Sequence, residues 1–454
     1  MKIAWVTPYN TRSGIGRFSR RVAEGLSNAG HAVTIVRSEA AAELLNGSDV
    51  LPGTEVVRWD EACYEPGFWS SCDAVVHNIG NNYIFHAGAI ELLQRFPGVV
   101  IVHDYFLLDL FHGWCAATGS RPLGDRILDD LYGEGAALRL HTIDGGPGFW
   151  EYACEHFPMT EWIGRLAHGA VAHSSFYADR LTRSCGGPVA VMPLAYNALS
   201  DFQPLAGREQ SSDVTVLTIG DVNQNTRVEF VIRAIGSSDV LRERCRYHVV
   251  GLVTNQERER LKAVARAVSF QNLQITGEVS DRILRAEIEA ADLICCLRWP
   301  VLDGGSASAV EAMLSGRPVI VTDAGSHRDL PDDLVFKVDP KRELGALTSQ
   351  LTRLVSDPAL RVAVGAQAAA WAKAAFSVDS YVARLVPLLE EVARLRPTLG
   401  TAAHFGHLFS DLGLLPNDPA VERLATVLES LFIKNIDVKI PPIKGLEASS
   451  DTLS

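Results

Sequence analysis

Short apolar runs alternate with helical stretches along most of this chain, twice over. That alternation restricts the fold to mostly parallel sheets covered by helices on both faces. The opening reads strand, loop, helix, strand: KIAWVTP is apolar, TRSGIG is a glycine loop, RFSRRVAEGLSNAG is amphipathic and HAVTIV is apolar again. Gly30 stands where a helix stop is expected. Further runs at Ala74–His77, Val99–His103, Gly169–His173 and Val189–Pro193 complete the first series. A second begins near Val214 with VTVLTIG and continues through YHVVGLV, LQITGEV, DLICCLR and PVIVTD. The spacing predicts an α/β fold of two Rossmann-like, doubly wound halves.

Between the series, Asn197–Asp213 is polar, aperiodic and carries Pro204 and Gly207, which makes it the linker. The expected division is residues 1–200, 201–375 and 376–454. The last of these combines part of an Ala/Leu/Arg-rich helical stretch (Pro340–Leu395), a helical patch near Ala420–Phe432 and a loose tail from Lys434.

The 454 residues suffice for two or three domains, and 47% hydrophobic with 21% charged residues is an ordinary globular balance. A formal charge of −12 argues against a nucleic-acid partner. The N-terminus has no apolar signal core, and no run of about 18 apolar residues occurs, so a cytoplasmic location is expected. Eight cysteines without metal-ligand spacing read as reduced and mostly buried. No metal site and no cofactor is expected.

Asp303–Asp323, DGGSASAVEAMLSGRPVIVTD, sets two carboxylates, Asp303 and Glu311, eight residues apart across a Gly/Ser corner that opens a helix. Small residues let a ligand touch the backbone, and free N–H groups at a helix start attract anions such as a diphosphate. The flanking carboxylates suit hydroxyls, so the pairing fits a nucleotide-sugar.

Other candidates lie at strand ends, where a doubly wound sheet presents ligands. Gly14 and Gly16 could admit a diphosphate or simply turn the corner into the first helix. His103 and Asp104 end PGVVIVHDY; His103 suits a sugar hydroxyl, or merely caps its strand. His77 shares that placement with a weaker claim. Asn81 sits in a loop with Asn78 and Asn82, residues suited to sugars and equally to turns. Arg227, at the end of GDVNQNTR, could hold a leaving diphosphate or lie solvated in a first helical turn. Arg298 follows an apolar strand and needs a partner, which could be Asp303 or a phosphate.

Taken together, residues 1 to about 395 resemble the retaining GT-B glycosyltransferases of glycosyltransferase family 4, two Rossmann-like domains facing a central cleft. The family's signature Glu, seven residues, Glu falls on Asp303 and Glu311. The resemblance implies that Asp303 meets the transferred sugar together with the amides of Gly304, Gly305 and Ser306, and that Glu311 binds the ribose. LRWPVLDGGSAS also resembles a bacterial surface-polysaccharide subgroup in which the acidic residue falls at Gly304, so two alignments compete. GDVNQNTR is similar to a phosphate-binding turn ending in Lys-Arg, with Thr226 standing where the lysine is expected and Arg227 retained. TGEVSD resembles the base-pairing segment, at Val279. His103 matches a strand-end histidine held against the donor sugar.

By that resemblance His103, Asp303 and Arg227 are catalytic. Gly14, Gly16, Arg227, Val279, Arg298, Gly304, Gly305, Ser306 and Glu311 bind the donor, and His77, Asn81 and Asp104 the acceptor. The implied activity is metal-independent, retaining transfer of a hexose from a GDP- or UDP-type sugar to a saccharide or lipid-linked acceptor in surface glycan assembly. The inner face of the membrane is then a natural place of work. Two rival readings are a sugar-nucleotide 2-epimerase and, given Thr226 and the shorter Asp303, an inactive binding or scaffold subunit.

Overall fold

The computed structural model describes residues 1–10, 13–48, 51–62, 64–197, 202–206, 213–414 and 418–432. Most of the expected linker, the tail from Lys434, and Thr11 and Arg12 of the first glycine loop therefore lie outside the described residues.

In the first half, β1 (Lys2–Thr7), β2 (Ala32–Arg37), β3 (Glu55–Arg58), β4 (Ala74–Ile79), β5 (Val99–Val102), β6 (Gly169–Ala172) and β7 (Val189–Val191) form one sheet in the order 3-2-1-4-5-6-7. In the second, β8 (Val214–Ile219), β9 (Cys245–Val250), β10 (Leu273–Gly277), β11 (Leu293–Cys296), β12 (Val319–Thr322) and β13 (Phe336–Val338) take the order 10-9-8-11-12-13. Every strand pairing is parallel. The two doubly wound sheets expected from the apolar runs are present. Edge strands β3 and β13 escape the sequence pattern because Glu55 and Arg58 bound one and Lys337 interrupts the other, leaving no continuous apolar run.

Helices cover both faces of each sheet, so each half has two apolar cores. Strands sandwiched this way read as continuous apolar runs, and all six residues of β4 are buried. Helix α1 (Gly14–Asn28) starts at the Ser13 cap and buries Phe18, Val22, Ala23 and Leu26. Burial of Phe18, Val22 and Leu26 contributes about 1.5–3 kcal/mol each. The helices used below are α2 (Tyr83–Arg95), α3 (Val228–Gly236), α4 (Ala307–Leu314), α5 (Glu343–Ser356) and α6 (Pro358–Ala375), followed by α7 (Val378–Asp411) and α8 (Pro419–Phe432). Between 108 and 166 the chain inserts five further helices between β5 and β6.

The start of α7 belongs to the first sheet's core: Tyr381, Leu385 and Leu389 are buried with Ile3, Trp5 and Val22. Gly25 permits this, because a Cβ there would lie 2.7 Å from Val378 Cγ1. Met1–Arg394 form one unit containing both sheets, and Leu395–Ser454 form another, whose described part holds the end of α7 and α8. The described cysteines are all free thiols. No described helix is long and apolar enough to cross a membrane.

Candidate active site

The segments that follow β5 and β11 meet. Asp104 and Asp303 pair as an isolated antiparallel bridge, Phe106 N donates to Leu302 O at 3.0 Å, and Gly304 N donates to His103 O at 2.8 Å. Ser174 Oγ donates to Gly304 O at 3.0 Å. Gly304 admits no side chain: a Cβ would lie 2.5 Å from Tyr177 Oη and 2.7 Å from His103 O. A side chain at 304 is sterically excluded in this arrangement, and Asp303 is the acidic residue beside the corner. In this arrangement His103 O takes the Gly304 amide hydrogen, the one expected to meet a donor. Among the described residues no protein acceptor meets the Gly305 or Ser306 N–H, and Ser306 Oγ caps α4 by accepting from Ala309 N.

Arg298 is the cation at this edge. Its Nε lies 3.6 Å from Asp303 Oδ2, and Nη2 reaches Ser308 Oγ at 3.2 Å. Asp221 stands close by, its carboxyl pushed up by burial and by the charges of Glu278 and Asp303, with Arg298 opposing.

Arg227 is placed otherwise. Its Nε donates to Glu343 Oε2 at 3.0 Å, a second bond runs from Nη2 to the same carboxylate, and the guanidinium lies over the Phe230 ring at 3.6 Å. Here α5 supplies the counter-charge to the arginine expected at the diphosphate, and the residue ties the turn to that helix. Thr226 is buried in a capping box with Asn223, and Trp299 N donates to Asn225 O at 2.9 Å, so the turn is stitched to the β11 end.

In the first half, His103 is buried beneath the bridge. Asp104 Oδ2 accepts from Asn81 N at 2.7 Å, and burial followed by the charge of Asp303 pushes its carboxyl up to about 7. Two of the side chains expected at the acceptor are engaged within the protein itself. His77 is fully buried with Nε2 3.0 Å from Phe96 O, and burial lowers its ring to about 4. The Asn81 side chain caps the helix that begins at Leu108, its Oδ1 accepting from Asp109 N and Leu110 N and its Nδ2 donating to Asp109. Gly16 is required by packing, since a Cβ would lie 2.9 Å from Pro8 O, whereas Gly14 has open space.

Glu311 is buried on α4, hydrogen-bonded to the Tyr196 phenol, which it helps push up after burial. The Arg21 guanidinium lies 4.7 Å over that phenol ring, and Arg17 lies 3.9 Å from Asp281, so α1 of the first half faces the Glu311 side of the second. Val279 packs in the apolar cluster that also takes Tyr196.

Residues 202–371 match the model of the glycosyl transferases group 1 family. Among solved structures, sucrose-phosphate synthase from Thermosynechococcus elongatus superposes with a TM-score of 0.59 at 16% identity, covering 86% of this chain and 98% of that one. Anabaena HepE in complex with UDP gives 0.58 at 15%, covering 86% and 99%. A glycosyltransferase from Rickettsia africae gives 0.57 at 15%, covering 86% and 98%. The fold is GT-B. No curated protein matches by sequence. In GT-B terms the bridge at Asp104 and Asp303 lies where the two halves face each other.

Sequence reasoning missed Tyr196, Arg17, Arg21, Tyr177 and His173, and it put Asn78 in a loop where the structure has it in β4. For His173 a signal existed: two apolar strands, β5 and β6, each end at a histidine and are neighbours in the sheet.

Proposed function

We propose that this chain is a metal-independent, retaining glycosyltransferase that moves a hexose from a nucleotide-sugar to a saccharide or lipid-linked acceptor. The observation that carries the reading is the corner Asp303–Ser306, with Arg298 beside it and buried Glu311 behind it, set against His103 and Asp104 of the other half. The group 1 family match over residues 202–371 supports it, as do GT-B relatives solved with UDP and with UDP-glucose.

In this reading Glu311 accepts from the ribose hydroxyls. The Gly305 and Ser306 amides, the start of α4 and Arg298 hold the diphosphate, and Asp303 and His103 orient the sugar. The anomeric carbon loses its bond to the phosphate oxygen while the acceptor hydroxyl bonds on the same face. The departing phosphate takes the hydroxyl proton. Charge growing on that phosphate is offset by Arg298 and the amides, so neither a protein nucleophile nor a metal is needed. Closure of the halves excludes water. A lipid-linked acceptor would place this work at the inner face of a membrane.

Incubation with UDP-, GDP-, dTDP- and ADP-hexoses and candidate acceptors tests the reading. Acceptor-dependent nucleotide release, a product with the donor's anomeric configuration and activity that survives EDTA are expected. Conversion of the sugar without acceptor would replace the reading with the epimerase. Binding without turnover would favour a scaffold, a reading that the Arg227–Glu343 lock and Thr226 make worth separating.

A further inference from the structure

His103 and His173 form a file of three polar contacts with an acceptor at each end. Asn78 Oδ1 lies 3.0 Å from His103 Nε2, His103 Nδ1 lies 3.1 Å from His173 Nε2, and His173 Nδ1 lies 3.1 Å from Met192 O. Asn78 cannot reverse its amide, because its Nδ2 donates to Val6 O at 3.1 Å and reversal would set two oxygens against each other. The Met192 carbonyl can only accept. The outer nitrogens, His103 Nε2 and His173 Nδ1, must therefore each carry hydrogen, and the inner contact needs one more. Two neutral imidazoles have only two N–H groups between them. The file is complete only as a monocation.

The surroundings do not supply the balancing negative charge. Phe18 stands edge-on to both rings, with centroids 4.7 Å from His103 and 5.5 Å from His173. His86 on α2 adds a like-charge penalty to His103. Tyr177 uses its hydroxyl on Val102 O and on His173 N, while α7 brings Tyr381 with Arg384 near it. The acidic neighbour, Asp104, has its own carboxyl pushed up to about 7. Burial holds the His173 ring down to about 4, and burial with the charges of His173 and His86 holds His103 well below its ordinary value. Yet the pair adjoins the corner: His103 O binds Gly304 N, and a Cβ on Gly305 would lie 3.2 Å from His173 Cβ.

We infer that the His103–His173 pair takes up one proton when a nucleotide diphosphate occupies the adjoining Gly304–Ser306 corner, and so supplies the positive charge that Thr226 does not. This rests on the glycosyltransferase reading. The proton comes from solvent and settles between His103 Nδ1 and His173 Nε2; no covalent bond changes. His173 acts through His103 as a positioning residue, and the completed cation offsets charge on the leaving phosphate.

Calorimetric titration of the full chain with UDP and with GDP at pH 7.5, in buffers of different ionisation enthalpy, tests it. Uptake of about one proton per nucleotide is expected for the native protein, and close to none for His173→Asn. Nitrogen NMR of labelled histidines gives the same answer without a variant: two imidazole rings sharing an imidazolium signature in the UDP-bound protein. Binding with no proton uptake, or a neutral pair in the complex, overturns the inference and leaves the functional reading standing. Failure of both nucleotides to bind overturns the inference together with the UDP/GDP form of that reading, and the wider nucleotide-sugar panel then decides the transferase itself.

Discussion

The main chains of His103 and Gly304 touch through a 2.8 Å hydrogen bond, and where a Gly304 side chain would begin, Tyr177 Oη stands 2.5 Å away. Tyr177 is fully buried and holds Val102 O and His173 N, so it cannot step aside. Gly304→Ala is expected to lose about 1–3 kcal/mol by overpacking and to impair transfer by forcing the halves apart. Thermal melts and initial rates check this, and an unchanged melting point would show that the corner can yield.

Arg298 and Arg227 should behave differently. Arg298→Ala removes the cation beside Asp303, and a loss of about 10²–10³ in kcat with little change in stability is expected, the scale for losing one charge-stabilising donor.

Arg227→Ala instead strands Glu343, whose side chain is 2% exposed in the salt bridge. Breaking such a pair costs about 3–5 kcal/mol, toward the lower end here because Arg227 keeps some solvent contact. Denaturant midpoints should fall for Arg227→Ala and recover in part when Glu343→Gln is added. A stable Arg227→Ala protein with lost activity would return Arg227 to the donor site.

Glu311→Ala should weaken nucleotide binding, since a buried carboxylate accepting from a hydroxyl contributes about 1.5–3 kcal/mol. Calorimetry with UDP and GDP reads it, and affinity equal to the native protein's would separate Glu311 from the ribose.

The Asp104 carboxyl, raised to about 7 in the fold, sets a pH dependence whose sign is opposite to that of a salt-bridged acid. Between about pH 4 and pH 7 the native state holds a proton that the unfolded chain has released, so this group's contribution falls as pH rises through that window. Asp104→Asn should flatten that part of the stability curve and melt higher than the native protein at pH 7.5. Parallel curves for the two proteins would reassign the titration.

Much of this architecture was legible because parallel strands buried on both faces leave continuous apolar runs, as β4 and β11 do. The Asp303–Glu311 corner was legible too, since a cap, a helix and a strand follow one another within the local sequence. Side-chain engagement was not. A turn arginine looks the same whether or not Glu343, 116 residues later, reaches back to neutralise it. His77 and His103 look alike at their strand ends, yet the Phe96 carbonyl takes one and Asn78 with His173 takes the other. The helices between 108 and 166 and the Tyr196 contact with Glu311 depend on long-range packing that no local period announces.

The rungs that tie Phe106 to Leu302 and Gly304 to His103 run peptide to peptide. Changing side chains along 103–106 therefore leaves them in place, and loosening has to come from the path of the chain itself. Parting of the halves at this point therefore requires two amide hydrogens to let go of their carbonyls.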